Sequence, residues 1–269
     1  MNGTSYIAAS AALDHQRRLE VIANNLANVN TAGFKADGLA FQLDATNAGQ
    51  NGEQTGEGDA QTVVRRETGR NGAGSRLLLG NDNMPATMKL TGYTDFSNGP
   101  SRHTGNPLDV ALEGDGFFSV RTPSGVSYTR QGSFSLNQDS VLVTSDGYPV
   151  MGDGGEITIE GQSVAIDEEG YITVDGNEVG KLQIVSFADP NKLEKVRGTL
   201  FKPSASGPAP QPVENTVVKQ GYLENSNVNA IRMMTDMITE MRMVEAYQRM
   251  IRASDSANTK AINELGRIV

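Results

Sequence analysis

The side chains that carry most enzymatic chemistry are sparse in this chain. Its 269 residues contain no cysteine and only two histidines, His15 and His103. Thiolate nucleophiles, disulfides, Cys-ligated zinc and His-rich metal sites are therefore excluded. His103 lies in Ser101–Gly105 with no second histidine and no nucleophile arrangement, which leaves a catalytic triad unsupported. Carboxylates are plentiful, and Glu113 with Asp115, or Asp167 with Glu168 and Glu169, can be written as acid–base pairs. Both groups flank glycine between short apolar runs, where Asp is favoured because it bonds the backbone of a turn. Asp167–Val174 lacks the alternating ligands and closing Glu of a calcium loop. Gly152–Gly155 precedes a strand-like run with no Lys-Ser or Lys-Thr, so it makes no phosphate cradle. The expectation is a chain that is not an enzyme, with no cofactor, no metal and no small-molecule substrate. A carbohydrate-binding or peptidoglycan-acting β domain is the alternative from another class; it needs a carboxylate pair in a cleft.

Composition narrows the partners. Lys and Arg number 23 against 32 Asp and Glu, a formal charge of −9, which repels phosphate backbones and anionic membranes, so nucleic acid is not expected. With 37% hydrophobic residues, 30 Gly and 10 Pro, the chain can build one modest core. The remainder must be extended, loop-rich or buried only in an assembly. No apolar run approaches the ~18 residues of a membrane span. The run Tyr6–Leu13 has no Lys or Arg before it and leads into Asp14, His15 and Arg17, so it reads as an amphipathic helix rather than a cleaved signal.

The elements follow from periodicity. Ser5, Ala8, Ala12, His15, Leu19, Ile22, Leu26 and Val29 are spaced alternately by 3 and 4, a helical seam that ends where Asn28–Ala32 are weak helix formers and Gly33 offers a left-handed cap. At the other end, Ala230, Met234, Met237, Met241, Val244, Gln248, Ile251, Asp255, Asn258, Ile262 and Leu265 repeat the pattern. Six of the ten methionines lie there, several off the seam, so this helix is apolar on more than one face. Asn47–Ala60 has no large apolar residue and reads as linker, with Leu77–Leu79 the one buriable run nearby. From Met88 to Phe201, short Val-, Ile-, Phe- and Tyr-rich runs are separated by Asp115–Gly116, Pro123–Gly125, Asp146–Gly147 and Asp175–Gly176 turns. Four prolines in Lys202–Val213 mark a second linker.

The fold class expected is a mainly β central domain with long N- and C-terminal α-helices that pair as a coiled coil on assembly. The expected parts are 1–32, an N-terminal seam helix; 33–87, an extended linker; 88–201, the β domain; 202–228, a Pro-rich linker and return segment; and 229–269, a C-terminal seam helix. An isolated long helix is marginal in water unless its apolar face is covered, so the two must pair with each other, with neighbours, or with both. Asn24, Asn25, Asn28 and Asn30 cost helix propensity, and their amides are expected to bond the adjoining C-terminal helices and fix register.

Several stretches resemble one known family in the same order. Val21–Lys35, with the core Ala23–Asn24–Asn25–Leu26–Ala27–Asn28–Val29–Asn30–Thr31–Ala32–Gly33–Phe34, is similar to the N-terminal motif of bacterial flagellar rod and hook proteins. Thr104–Phe118 resembles the start of that family's β domain, Tyr128–Phe134 and Thr144–Val150 its hairpins, and Gln220–Asn229 its C-terminal segment. The resemblance implies a structural subunit of the flagellar basal-body rod, in the periplasm-crossing part of the flagellum, built as a helical tube from copies of itself and other rod proteins. It also implies export through the flagellar export apparatus, torque transmission, and an inner wall of paired terminal helices lining the export channel. Gly152–Ile157, Gly180–Val185 and Lys195–Phe201 look more like the proximal rod branch than the distal one. The expected assembly interface is Ala12, Leu19, Ile22, Asn24, Asn25, Leu26, Asn28, Val29, Gly33 and Phe34 at one end, with Met234, Met237, Met241, Val244, Ile251, Ile262 and Leu265 at the other.

Overall fold

The computed structural model describes residues 3–44, 87–204, 207–213 and 216–265. It divides into two units, one of residues 1–40 and 92–269 and one of residues 41–91. In the second unit the described residues are the ends of two paired strands, Asp37–Asp44 and Thr87–Thr94. The expected linker residues Asn47–Ala60 and Leu77–Leu79 lie outside the described residues.

The first unit is mainly β with one helix at each terminus. Helix α1 spans Gly3–Ala27 and helix α2 spans Ala230–Leu265. Helix α1 stops five residues before the expected boundary. After it, Asn28 and Thr31 continue as turns, and Gly33, expected as the helix cap, serves elsewhere. Among the described residues no helix is long and apolar enough to cross a membrane.

The largest sheet has six antiparallel strands in the order Leu193–Arg197, Leu200–Pro203, Gly125–Thr129, Phe117–Thr122, Ile184–Ser186, Gln211–Pro212. Successive side chains of a strand point to opposite faces, so adjacent Phe117 and Phe118 serve different cores. Phe118 joins Val120, Leu142, Val150, Ile172, Leu182 and Val218 in the larger one. Phe117 joins Tyr128, Phe187, Leu193 and Phe201 in an aromatic cluster with edge-to-face rings 4.9–5.9 Å apart. Short hairpins complete the domain. At Val174–Asn177 the two turn residues Asp175 and Gly176 have φ of 50° and 87°, the left-handed pair that a tight hairpin needs.

Two regions depart from the expected strands. Within the run of short strands expected from Met88 to Phe201, the stretches 148–151 and 157–159 are held chiefly by isolated bridges, such as Val120 with Val150 and Val141 with Thr158. Residues 202–228, expected as a Pro-rich linker and return segment, carry three strands of their own among the described residues. Gln211–Pro212 caps an edge of the main sheet, where proline's missing N–H is tolerated. Val217–Gln220 pairs with Val110–Glu113, and Tyr222–Glu224 pairs with Ser101–His103. The chain thus returns through the β domain before entering α2.

Candidate functional site

The carboxylates weighed for chemistry are used structurally. Glu113 pairs with Lys219 across neighbouring strands at 2.6 Å. Asp167 accepts the N–H groups of Glu169 and Tyr171 in a turn. His103 packs edge-on against Tyr222 at 4.9 Å. Among the described residues no cluster of His, Cys, Asp and Glu could hold a metal.

Two other places concentrate interactions, and the first is the helix pair. Helices α1 and α2 pack antiparallel. His15 stacks on Tyr247 with centroids 5.3 Å apart, and both His15 and Arg18 reach Glu240. The N-terminal seam is where its spacing puts it: Ala8 is buried and Ala12, His15, Leu19, Ile22, Leu26 and Val29 are half-buried. On α2 only one of the two expected rows faces inward. Met237, Val244, Ile251 and Asn258 are half-buried, but their companions are Met233, Glu240, Tyr247 and Ser254. Met234 and Met241, expected in the seam, are 52% and 51% exposed. Glu240 faces inward, where His15 and Arg18 meet it, and the second inner row lies one residue before the expected one. Ile262 and Leu265 lie outside the residues whose side chains are described.

The second place is the joint where the chain leaves α1, crosses the β domain and enters α2. Asn25 is 3% exposed; its Nδ2 donates to the Asp37 carbonyl and its Oδ1 accepts the Asp37 N–H. Asn24 donates to the Asp37 carboxylate at 3.4 Å, and Asn28 donates back to the Asn24 carbonyl at 2.8 Å. Within the single chain these amides therefore bond α1 and the segment after it, rather than α2. Phe34 is buried, with the Lys195 ammonium 4.2 Å above its ring. That ammonium also donates to the Lys35 carbonyl and to Asp37, each at 2.8 Å. Burial pulls Lys195 below its ordinary value, against the opposing pull of Asp37.

Gly33 passes so close to the β domain that a Cβ there would lie 2.3 Å from the Gln131 nitrogen, and its φ is +67°. Its N–H donates to the Glu224 carbonyl at 2.7 Å. The next residues bring in charge. Lys35, Glu224 and Arg130 are 1%, 2% and 3% exposed and form one ionic cluster. Burial lowers the pKa of both Lys35 and Arg130, with Glu224 pulling the other way. Asn227 closes the joint, accepting the Ala36 N–H and donating to the carbonyls of Asp95 and Ser97. A groove of about 400 Å³ opens between this joint and the helix pair, lined by Val21, Ile22, Asp37, Tyr93, Met233 and Asp236 among others. The sequence reading missed Lys35, Asp37, Arg130, Lys195, Glu224, Asn227 and Glu240, all polar residues without a local periodic signal.

The comparisons with known proteins concern these same segments. The family described as "Flagella basal body rod protein" matches residues 6–35, which hold α1 and the turn to Lys35. "Flagellar hook protein FlgE/F/G D1 domain" matches residues 111–174 in the β domain, and "Flagellar basal body rod FlgEFG protein C-terminal" matches residues 219–264. The flagellar basal-body rod protein FlgF of Caulobacter vibrioides is 30% identical, with 100% of each chain covered. FlgG of Bacillus subtilis is 31% identical over 96% of this chain and 97% of its own. FlgG of Agrobacterium fabrum is 32% identical over 93% and 94%. The match to a rod protein runs the full length of both chains, and the chain belongs to the flagellar basal-body rod protein family.

Proposed function

We propose that this chain is a proximal rod subunit of the FlgF type, non-enzymatic, that assembles helically through α1 and α2, transmits torque and lines the export channel. Its structural role and its location in the basal-body rod come with the family. The observation that carries the assembly reading is a second apolar row on α2. Ile231, Met234, Ile238 and Met241 follow one another at spacings of 3, 4 and 3, and are 80%, 52%, 54% and 51% exposed. Once α1 has covered one face of α2, this row is a coiled-coil seam without a cover among the described residues. Neighbouring copies and other rod proteins supply the cover in the tube. The interface then consists of the outer rows of both helices, while Asn25, Gly33 and Phe34 act inside each subunit to hold the helices on the β domain.

The proximal position is favoured by Gly152–Ile157, Gly180–Val185 and Lys195–Phe201 and by the full-length match to a FlgF protein. A distal, FlgG-type subunit is the second reading, favoured by relatives of that name at 31–33% identity. Complementation separates the two. The gene should restore motility to cells lacking the proximal rod protein and not to cells lacking the distal one. Assembly is tested with the purified chain and with versions lacking 1–29 or 229–269. Only the intact chain should polymerise or bind rod partners, and equal assembly by either truncated chain would refute the role of the terminal helices.

A further inference from the structure

We infer that Glu224 is the hub of a closure lock: the segment leaving α1 and the strand entering α2 dock on the β domain together, and neither docks stably alone. Three charged groups meet there from distant parts of the chain. Lys35 Nζ donates to Glu224 Oε1 at 2.7 Å and to the Ser97 carbonyl at 2.8 Å. Arg130 approaches Glu224 Oε2 at 3.5 Å, and its other amino group donates to the Gly114 carbonyl at 2.6 Å. Glu224 Oε1 also accepts the Gly99 N–H at 2.9 Å. The carboxylate thereby holds the exit of α1, the loop at 97–99 and the β domain at once. Asp95, toward Lys35, and Asp115, toward Arg130, are the further acids acting on the cluster.

The lock arises from the charge count. Two buried cations share one buried carboxylate, and an ion buried without its partner costs far more than the pair is worth when complete. A chain with the Lys35 segment docked and the Glu224 strand absent leaves two cations with carbonyl partners and only the weaker pull of Asp95 and Asp115. With the strand docked and the Lys35 segment away, Glu224 loses its closest partner and Gly33 its acceptor. Half-docked states are penalised from both sides, so the two helices become ordered as a pair. Gly99 runs so close to the strand that a Cβ there would lie 1.9 Å from the Asn225 carbonyl oxygen, and that approach brings its N–H to Glu224. The coupling holds for the single chain, whatever the chain assembles with.

The test is hydrogen exchange on the full-length chain at neutral pH for the wild type, Glu224→Gln, Lys35→Met and the double variant. Glu224→Gln should speed exchange about a hundredfold in residues 31–37 and 220–228 together, leaving strands Leu142–Thr144 and Tyr171–Val174 protected. Adding Lys35→Met removes one orphaned cation and should restore about tenfold of that protection in both segments. If Glu224→Gln does not fold, Glu224→Asp keeps the charge with a shorter reach and should loosen both segments by about tenfold. Loss in one segment alone, no loss in either, or a further loss when Lys35→Met is added would overturn the inference.

Discussion

Asn25 and Asp37 are joined as two strands would be. The Asn25 amide donates to the Asp37 carbonyl at 2.7 Å and accepts the Asp37 N–H at 2.9 Å, so a side chain on α1 completes the backbone bonding of a residue twelve positions later. Both backbone groups of Asp37, the first residue of its strand, are thereby satisfied by one side chain. Its carboxylate is left free to bind Lys195.

Asn25→Ala should therefore act in opposite directions on the part and on the whole. In a peptide of residues 1–32 helicity should rise, because Ala exceeds Asn in helix propensity by roughly 0.6 kcal/mol. In the full chain two bonds at a buried site are lost, and stability should fall by about 2–3 kcal/mol. Circular dichroism of the peptide and urea denaturation of the chain measure the two. A full chain at least as stable as the wild type would show that this bridge does not hold the joint.

Gly33→Ala should be severe, since a left-handed φ of +67° is combined with a Cβ position 2.3 Å from backbone of the β domain. Left-handed geometry alone costs about 1 kcal/mol for Ala, and the clash with a backbone that cannot swing aside adds to it. Thermal unfolding should show a lowered midpoint together with faster cleavage by protease after α1. An unchanged midpoint would mean that the loop moves away from Arg130 and Gln131 without cost.

Much of this arrangement is legible in the sequence, and the exceptions share a cause. The row Ala8, Ala12, His15, Leu19, Ile22 is where its spacing places it because apolar and small residues alternate on one face only. On α2, apolar residues lie on two adjacent rows, and residue type alone cannot say which row α1 covers. Glu240 lies in the covered row, and an acid there reads as solvent-facing until its partners His15 and Arg18 are known. The ionic cluster is still less legible. Lys35 and Glu224 are 189 positions apart, and each resembles an ordinary surface residue in its own neighbourhood. The one local hint is Gly33–Phe34 directly before Lys35, a glycine and a large apolar residue where a solvated linker would need neither.

Tyr128 gives the pH dependence its alkaline limb. Burial raises its phenol above the ordinary value of 10.0, so the folded state holds the proton more tightly than the unfolded state. The contribution is fully present below pH 10 and is lost as pH rises through the folded-state value. Lys35 and Lys195, with lowered values, bend the curve the other way. The difference between wild type and Tyr128→Phe isolates the tyrosine. The wild type should lose stability relative to the variant above pH 10 and run parallel to it between pH 7 and 9. Parallel curves to pH 11.5 would contradict the assignment.

If the outer row of α2 serves the assembly and not the subunit, charges placed on it should spare the fold and stop incorporation into the rod. Ile238→Asp with Met241→Asp places two charges on side chains 54% and 51% exposed, outside the half-buried row of α2. The purified variant should keep the wild-type melting temperature within about 2 °C, as surface changes do. In cells it should fail to enter rods, because each charge buried in a subunit interface would cost several kcal/mol. The decisive measurement is incorporation of this variant into isolated basal bodies, compared with its own melting temperature. A stable chain absent from the rod is the predicted result, and a stable chain incorporated at wild-type levels would contradict the account.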